Sequence, residues 1–170
     1  MPITTNKIAP CFWFDTQAEE AATFYVSIFK NSRITNIGRY GKEGHEIHGK
    51  KAGTVMSVAF ELEGQSFVAL NGGPQFKFSE AISLQVYCKN QEEVDFFWSK
   101  LIAGGGSEGP CGWLKDKYGL SWQVVPTALI EMLTDKDDAK TQRVTKAFLQ
   151  MKKFDIAALQ RAFDGRAKAA

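Results

Sequence analysis

The sequence predicts an α+β fold: two copies of a βαβββ unit followed by a C-terminal helical extension. Three observations carry this expectation. The order strand, helix, strands occurs twice between residues 8 and 126. A match of residues joins the two copies through their strand–helix junctions. After Pro126 the pattern turns wholly helical.

The elements follow in order. Residues 8–14 are an apolar, aromatic run of strand character. Thr16 and Glu19 have capping-box spacing, in which a hydroxyl and a carboxylate satisfy free amides at a helix start. Ala21, Phe24, Tyr25 and Ile28 continue at helical spacing, and Asn31-Ser32 ends that helix. Residues 33–40 read as a strand, and residues 41–53 as a loop rich in Gly, Lys and His. Residues 54–62 and 66–70 form a hairpin around Glu63-Gly64-Gln65. The order then restarts. Residues 82–87 are a strand. Residues 92–102 are a helix with Val94, Phe97, Trp98 and Leu101 on one face, stopped by Gly104-Gly-Gly106. Residues 112–115 and 120–125 make a second hairpin. In the tail, residues 138–152 are helical, with Val144, Ala147, Phe148 and Met151 on one face. Ile156, Leu159 and Phe163 mark a last helix before Gly165. These apolar stripes need cover, from the sheet or from a second subunit.

The internal repeat is visible residue by residue. Phe14-Asp-Thr-Gln-Ala-Glu-Glu-Ala-Ala-Thr-Phe-Tyr25 aligns without a gap to Tyr87-Cys-Lys-Asn-Gln-Glu-Glu-Val-Asp-Phe-Phe-Trp98. Ser66-Phe67 falls on Ser121-Trp122. The resulting division is a paired domain over residues 1–126, with modules at about 7–74 and 80–126, and a helical extension over 127–170.

Composition narrows the partners. With 21 Lys+Arg against 19 Asp+Glu, the net charge of +2 gives no support for nucleic acid or an anionic membrane. No apolar run reaches the ~18 residues of a membrane span. Residues 1–7 lack the apolar stretch of a secretion signal. The three cysteines, Cys11, Cys88 and Cys111, are odd in number and lack metal-binding spacing, so a reduced, cytoplasmic setting is expected.

Several phrases together resemble a known family. They are Phe12-Trp-Phe-Asp-Thr-Gln-Ala-Glu-Glu-Ala21, Phe67-Val-Ala-Leu-Asn-Gly-Gly-Pro74, Ile82-Ser-Leu84, Glu92-Glu-Val-Asp95 and Cys111-Gly-Trp-Leu-Lys-Asp-Lys-Tyr-Gly-Leu-Ser-Trp-Gln-Val-Val-Pro126. Leu149-Gln-Met-Lys-Lys153 in the tail also fits. The chain resembles the vicinal oxygen chelate superfamily of glyoxalases and extradiol dioxygenases. More closely it resembles the PhnB-like branch, which often carries the label demethylubiquinone methyltransferase-like. The resemblance implies paired βαβββ modules forming a cupped mixed sheet around a cavity, commonly in a homodimer.

Metal-using members of that superfamily place ligands at four matching strand positions. The resemblance puts these at Ile8 to Pro10, near Val68, near Ala81 and at Gln123. Gln123 follows the motif Asp116-Lys-Tyr-Gly119-Leu-Ser-Trp122, where many members carry a ligating Glu. A divalent ion needs about three protein donors, and a single neutral amide cannot hold one. No metal and no cofactor are therefore expected. His45 and His48 would share a face if helical, but Gly41, Gly44 and Gly49 favour a loop of solvated histidines, with His48 able to reach over a cavity mouth.

Side chains alternate along strands. If the position near Ala81 faces the cavity, so do Ser83, Gln85 and Tyr87, and the repeat brings Phe12 and Phe14 with them. Gln123 and Val125 share that face, while Trp122 turns to a helix. The expected substrate-binding set is Phe12, Phe14, Asn71, Gln85, Tyr87, Trp113 and Gln123, a mix suited to a small, partly apolar ligand. The same aromatics could instead fill a core, and polar strand residues need partners of some kind. Asn71-Gly72-Gly73-Pro74 reads as a turn more than a binding loop. Cys11, of opposite parity, is expected to be buried against the helix, and Lys115, Asp116 and Lys117 to form a solvated turn. No catalytic residue can be named: Cys111 has no nearby base, and Tyr87 and His48 are only possible acid–base groups. No glycine loop stands between a strand and a helix, as common methyl-donor sites require. Two functions stay open, a small-molecule binding protein or a metal-independent enzyme acting on a quinone-like aromatic.

Overall fold

The computed structural model describes residues 7–166. The chain forms two compact units, one up to Lys77 and one from Phe78 onward. Each contains a four-stranded mixed sheet built as β, α, β, β, β.

The first unit runs β1 (Cys11–Phe14), α1 (Ala18–Ile28), β2 (Arg33–Arg39), a single helical turn α2 (His45–His48), β3 (Val55–Leu62) and β4 (Gln65–Asn71). The sheet order is β1-β4-β3-β2, with β1 parallel to β4 and the other pairs antiparallel. Glu63 (φ 48°) and Gly64 (φ 83°) both take left-handed backbone, as a tight two-residue hairpin demands. Ala18, Ala21 and Ala22 are fully buried on α1. These small residues let the helix lie close to the sheet. Tyr25 reaches past them to stack on Phe60, which stacks in turn on Phe67, their centroids 6.2 and 5.4 Å apart. Phe12 joins the cluster 5.6 Å from Phe67.

The second unit repeats the plan with β5 (Ser83–Cys88), α3 (Gln91–Ile102), β6 (Ser107–Glu108), β7 (Trp113–Lys115) and β8 (Ser121–Pro126). Its order is β5-β8-β7-β6, again with the outer β5 parallel to the last strand. Val94, Trp98 and Leu101 of α3 are buried, as are Val86, Leu114, Trp122 and Val124 on the strands.

The two helix starts are secured differently. The expected capping box at Thr16 and Glu19 does not form: α1 has no side-chain cap from Gln17. Asn71, 53 residues away in sequence, instead accepts from the Ala18 N–H at 2.8 Å. In α3 the cap is local. Asn90 accepts from the Glu93 N–H, and the Glu93 carboxylate accepts from the Lys89 N–H.

The tail completes the second unit with α4 (Thr127–Leu133), α5 (Asp138–Phe148) and α6 (Ile156–Phe163). Leu129, Met132, Val144, Phe154 and Leu159 form its buried cluster, so the stripes largely cover one another. The helix expected to reach residue 152 stops at Phe148. There the chain turns to offer the Met151 and Lys152 carbonyls to the Cys111 and Gly112 N–H groups, both at 2.7 Å. Gly112 has φ 78°, and a Cβ there would lie 2.4 Å from the Phe154 ring. Gln91 adds a second clasp, donating to Phe154 O and accepting from Ile156 N–H.

Candidate functional site

The strand ladders decide which side chains share a face. In the second unit Leu84, Val86 and Cys88 alternate with Ser83, Gln85 and Tyr87. Register pairs Ser83 with Ser121, Gln85 with Gln123 and Tyr87 with Val125. It also pairs Trp113 with Gln123 and Lys115 with Ser121. Trp122, Val124 and Leu114 turn to α3 and are buried. Ser83, Gln85, Tyr87, Trp113, Lys115, Ser121 and Gln123 therefore lie on the opposite face.

On that face four side chains form one row of hydrogen bonds. The Tyr87 hydroxyl donates to Gln85 Oε1 at 2.7 Å. Gln85 Nε2 donates to Gln123 Oε1 at 3.2 Å, and Gln123 Nε2 donates to Ser83 Oγ at 2.8 Å. Tyr87 remains 56% exposed, so the row is open to an incoming molecule. Beside it lies a pocket of about 490 Å³ lined by Trp113, Lys115, Ser121, Pro110 and neighbouring residues. Lys115 is ion-paired with Glu80, and its ammonium group holds the Glu80 carboxyl below the ordinary carboxylate range. Glu108, which also lines the pocket, is held low as well, first by a hydrogen bond from the Trp98 indole and further by Lys152.

A buried carboxylate fixes the turn that carries the last strand. Asp116, expected to be solvated, is 3% exposed. It accepts from the Tyr118 and Leu120 N–H groups and from the Trp122 indole at 2.9 Å. Asp116 thus anchors Trp122, and Gln123 follows with its side chain on the other face.

The first unit departs from expectation. Phe12 and Phe14 are 5% and 4% exposed and turn toward α1, while Cys11 is exposed on the face turned away from α1. The cause is one residue. Three residues link β1 to α1, but two link β5 to α3. The helices align as the gap-free match has it, whereas the strands are offset by one, and a one-residue slip exchanges the faces. Phe14 is thus the counterpart of Cys88, and Trp13 the counterpart of Tyr87. Asn71 is 6% exposed. Besides capping α1, its Nδ2 donates to Val55 O at 3.1 Å. Its backbone carbonyl accepts from the Tyr40 hydroxyl at 2.7 Å. Both ends of the Asn71 amide serve the fold.

The histidine loop closes into a helical turn rather than an open loop. His48 packs on Tyr40, its Nδ1 accepts from the Lys50 N–H, and its Nε2 lies 3.3 Å from Glu43 O. His45 Nδ1 lies 3.0 Å from Lys50 O. These backbone contacts occupy both His48 nitrogens and Nδ1 of His45.

A divalent metal does not fit the residues at the four positions that the resemblance marks, the first of which, Ile8 to Pro10, carries no donor side chain. Val68 offers no donor, Ala81 stands just before β5, and Gln123 spends its amide on Ser83 and Gln85. Among the described residues, no three His, Cys, Asp or Glu side chains gather as a metal site requires. Among the same residues, no helix is long and apolar enough to cross a membrane.

Of the expected site residues, the structure brings together Gln85, Tyr87, Trp113 and Gln123. Ser83 extends their row. Lys115 and Ser121, on the same face, were missed, although one more step of strand alternation from Trp113 and Gln123 reaches both. Glu80 lies outside any strand and gave no sequence signal.

The model of the 3-demethylubiquinone-9 3-methyltransferase family matches residues 6–125. Among solved structures, a putative 3-demethylubiquinone-9 3-methyltransferase, PhnB protein, from Bacillus cereus is 37% identical. The match covers 71% of this chain and 99% of that one, with a TM-score of 0.61. A Pseudomonas aeruginosa protein shares the fold at 16% identity and a TM-score of 0.57, over 72% of this chain and 98% of that one. No curated protein matches the chain. The chain belongs to the 3-demethylubiquinone-9 3-methyltransferase, PhnB-like family.

Proposed function

We propose that this protein binds a small, partly apolar or aromatic molecule on the face of its second sheet turned away from α3. The observation that carries the reading is the row Tyr87–Gln85–Gln123–Ser83 beside the Trp113 wall. Such a surface offers directed donors and acceptors next to apolar area, which orients a ligand. It holds no paired nucleophile and base of the kind covalent catalysis uses. In this reading Gln85, Tyr87, Trp113 and Gln123 contact the ligand, while Phe12, Phe14 and Asn71 hold the first unit together. Thermal-shift screening with aromatic and quinone-like compounds tests it. Stabilisation that disappears in Gln123→Ala supports the reading, and no stabilisation by any compound refutes it. The three free thiols fit a reducing, cytoplasmic compartment. The assembly in this reading is a homodimer, which light scattering would register at twice 18.9 kDa.

The family's description favours a second reading, a metal-independent enzyme acting on a quinone-like aromatic. Tyr87 would then be the proton-bearing group nearest the ligand. Methyl transfer from S-adenosylmethionine to a demethylated quinol, lost in Tyr87→Phe, would establish it. Full activity in that variant would remove Tyr87 from the chemistry.

A further inference from the structure

Between β2 and β3, two histidines grip the backbone of one residue, and they need opposite protonation to do so. The Lys50 N–H donates to His48 Nδ1 at 2.9 Å. A ring nitrogen that accepts carries no proton, so this bond fixes His48 as the neutral tautomer with its proton on Nε2. That proton goes to the Glu43 carbonyl, 3.3 Å away. On its other side, the Lys50 carbonyl lies 3.0 Å from His45 Nδ1. A carbonyl only accepts, so His45 must carry a proton on Nδ1. Charging His45 therefore keeps its bond, whereas charging His48 sets one N–H against another. The two rings stand 6.3 Å apart, so a pair of imidazolium charges would also repel. His48 packs on the Tyr40 ring at 4.5 Å, and the Tyr40 hydroxyl holds the Asn71 carbonyl. Gly44 and Gly49 bracket the turn with φ of 78° and 66°.

We propose that residues 41–53 form a pH-sensitive latch, closed while His48 is neutral and opened when His48 takes a proton on Nδ1. The surrounding charges pull both ways. On the loop itself Glu43 and Glu46 favour a positive imidazole, while Lys42, Lys50 and Lys51 oppose one. From β2, Arg39 is turned to the Gly53 carbonyl, and Tyr40 offers a ring face that attracts a cation. From β4, the Asn71 carbonyl is reached only through the Tyr40 hydroxyl. In this arrangement none of these groups gives the Lys50 N–H another acceptor once Nδ1 is protonated. The sign follows. Closure is complete above the range in which imidazoles titrate, ~6.5, and is lost as pH falls through it. Opening strips the His48 ring from Tyr40 and leaves Tyr40 held to Asn71 by its hydroxyl alone.

NMR titration of the full chain from about pH 8 to about pH 5 tests this, following the Lys50 amide and both imidazoles. Protection of the Lys50 amide from exchange, corrected for the intrinsic pH dependence of exchange, should fall ~10-fold in the wild type, the worth of about one hydrogen bond. The fall should share its midpoint with the titration of His48. His48→Asn places a carbonyl oxygen where Nδ1 stands and cannot titrate, so it should keep the protection at both ends. His45→Asn should leave the acid step in place. Protection that is unchanged while His48 titrates overturns the inference, as does an acid step that persists in His48→Asn. Should that variant lack protection even at pH 8, the wild-type imidazole nitrogen resonances decide. A bare His48 Nδ1 at pH 8 upholds the latch, and a protonated one overturns it.

Discussion

In the first unit the strand face turned away from the helix carries Cys11, Trp13, Val68 and Leu70. At the equivalent ladder positions the second unit carries Gln85, Tyr87, Gln123 and Val125. The helix-facing sets behave otherwise. Phe12, Phe14, Phe67 and Ala69 in one unit, and Val86, Cys88, Trp122 and Val124 in the other, are all buried. Packing against a helix constrains one face of each sheet to apolar residues of fitting volume. The opposite face carries no such demand, and there one copy holds a hydrogen-bonded row while the other holds mostly apolar side chains. The candidate site belongs to one copy because the copies differ where the core does not dictate the residue.

The largest expected effect separates the two helix starts. Asn71→Ala leaves the Ala18 N–H and the Val55 carbonyl without their partner, and should cost about 3 kcal/mol in urea unfolding. A loss below about 1 kcal/mol would show that water replaces the amide. Next comes the row itself. Gln123→Ala should weaken binding of an aromatic ligand by ~10–100-fold, while Val68→Ala, its counterpart, should change affinity little. Equal losses at both positions would abolish the asymmetry between the units. Smaller still is Asn90→Ala, which removes a local cap and should cost about 1 kcal/mol. A cost as large as that of Asn71→Ala would mean the two caps are equivalent after all.

The effect that is smallest at neutral pH concerns charge. Burial, with Glu93 nearby, pushes the Cys88 thiol up to about 12 from its ordinary 9.0. The folded state therefore keeps its proton where the unfolded chain has lost it. Stability should be intact below pH 9 and should fall as pH rises from 9 toward about 12. Cys88→Ala should flatten part of that slope. Phe14, the counterpart of Cys88, has no proton to lose. At pH 8 a thiol reagent should label Cys11 in the folded protein and leave Cys88 untouched. Labelling of Cys88 before unfolding would contradict its full burial.

Much of this was legible in the residues. The doubled βαβββ order, the hairpin at Glu63-Gly64 and the shared face of Gln85, Tyr87 and Gln123 all follow from alternation and turn chemistry. What failed had a common physical source, the long-range contact. A one-residue difference in a connecting loop has no periodic signature, yet it reversed the side on which Phe12, Phe14 and Cys11 lie. Asn71 capping a helix that begins 53 residues earlier leaves no local trace, and neither does the burial of Asp116 under the Trp122 indole. The end of α5 at Phe148 depends on Cys111 and Gly112, which draw the following residues away from helical continuation.

The row on the second sheet has a direction. Every donor in it points the same way, from Tyr87 toward Ser83, which leaves the Ser83 proton to spare at one end. Carboxamides have nearly the same shape when flipped. If Gln85 and Gln123 turn over together, every bond survives with donor and acceptor exchanged. The spare proton then sits on Tyr87, at the opposite end. The row thus behaves as a reversible relay of polarity with two termini and one hydroxyl proton to spare. A bound molecule can set its sense without any side chain gaining or losing charge.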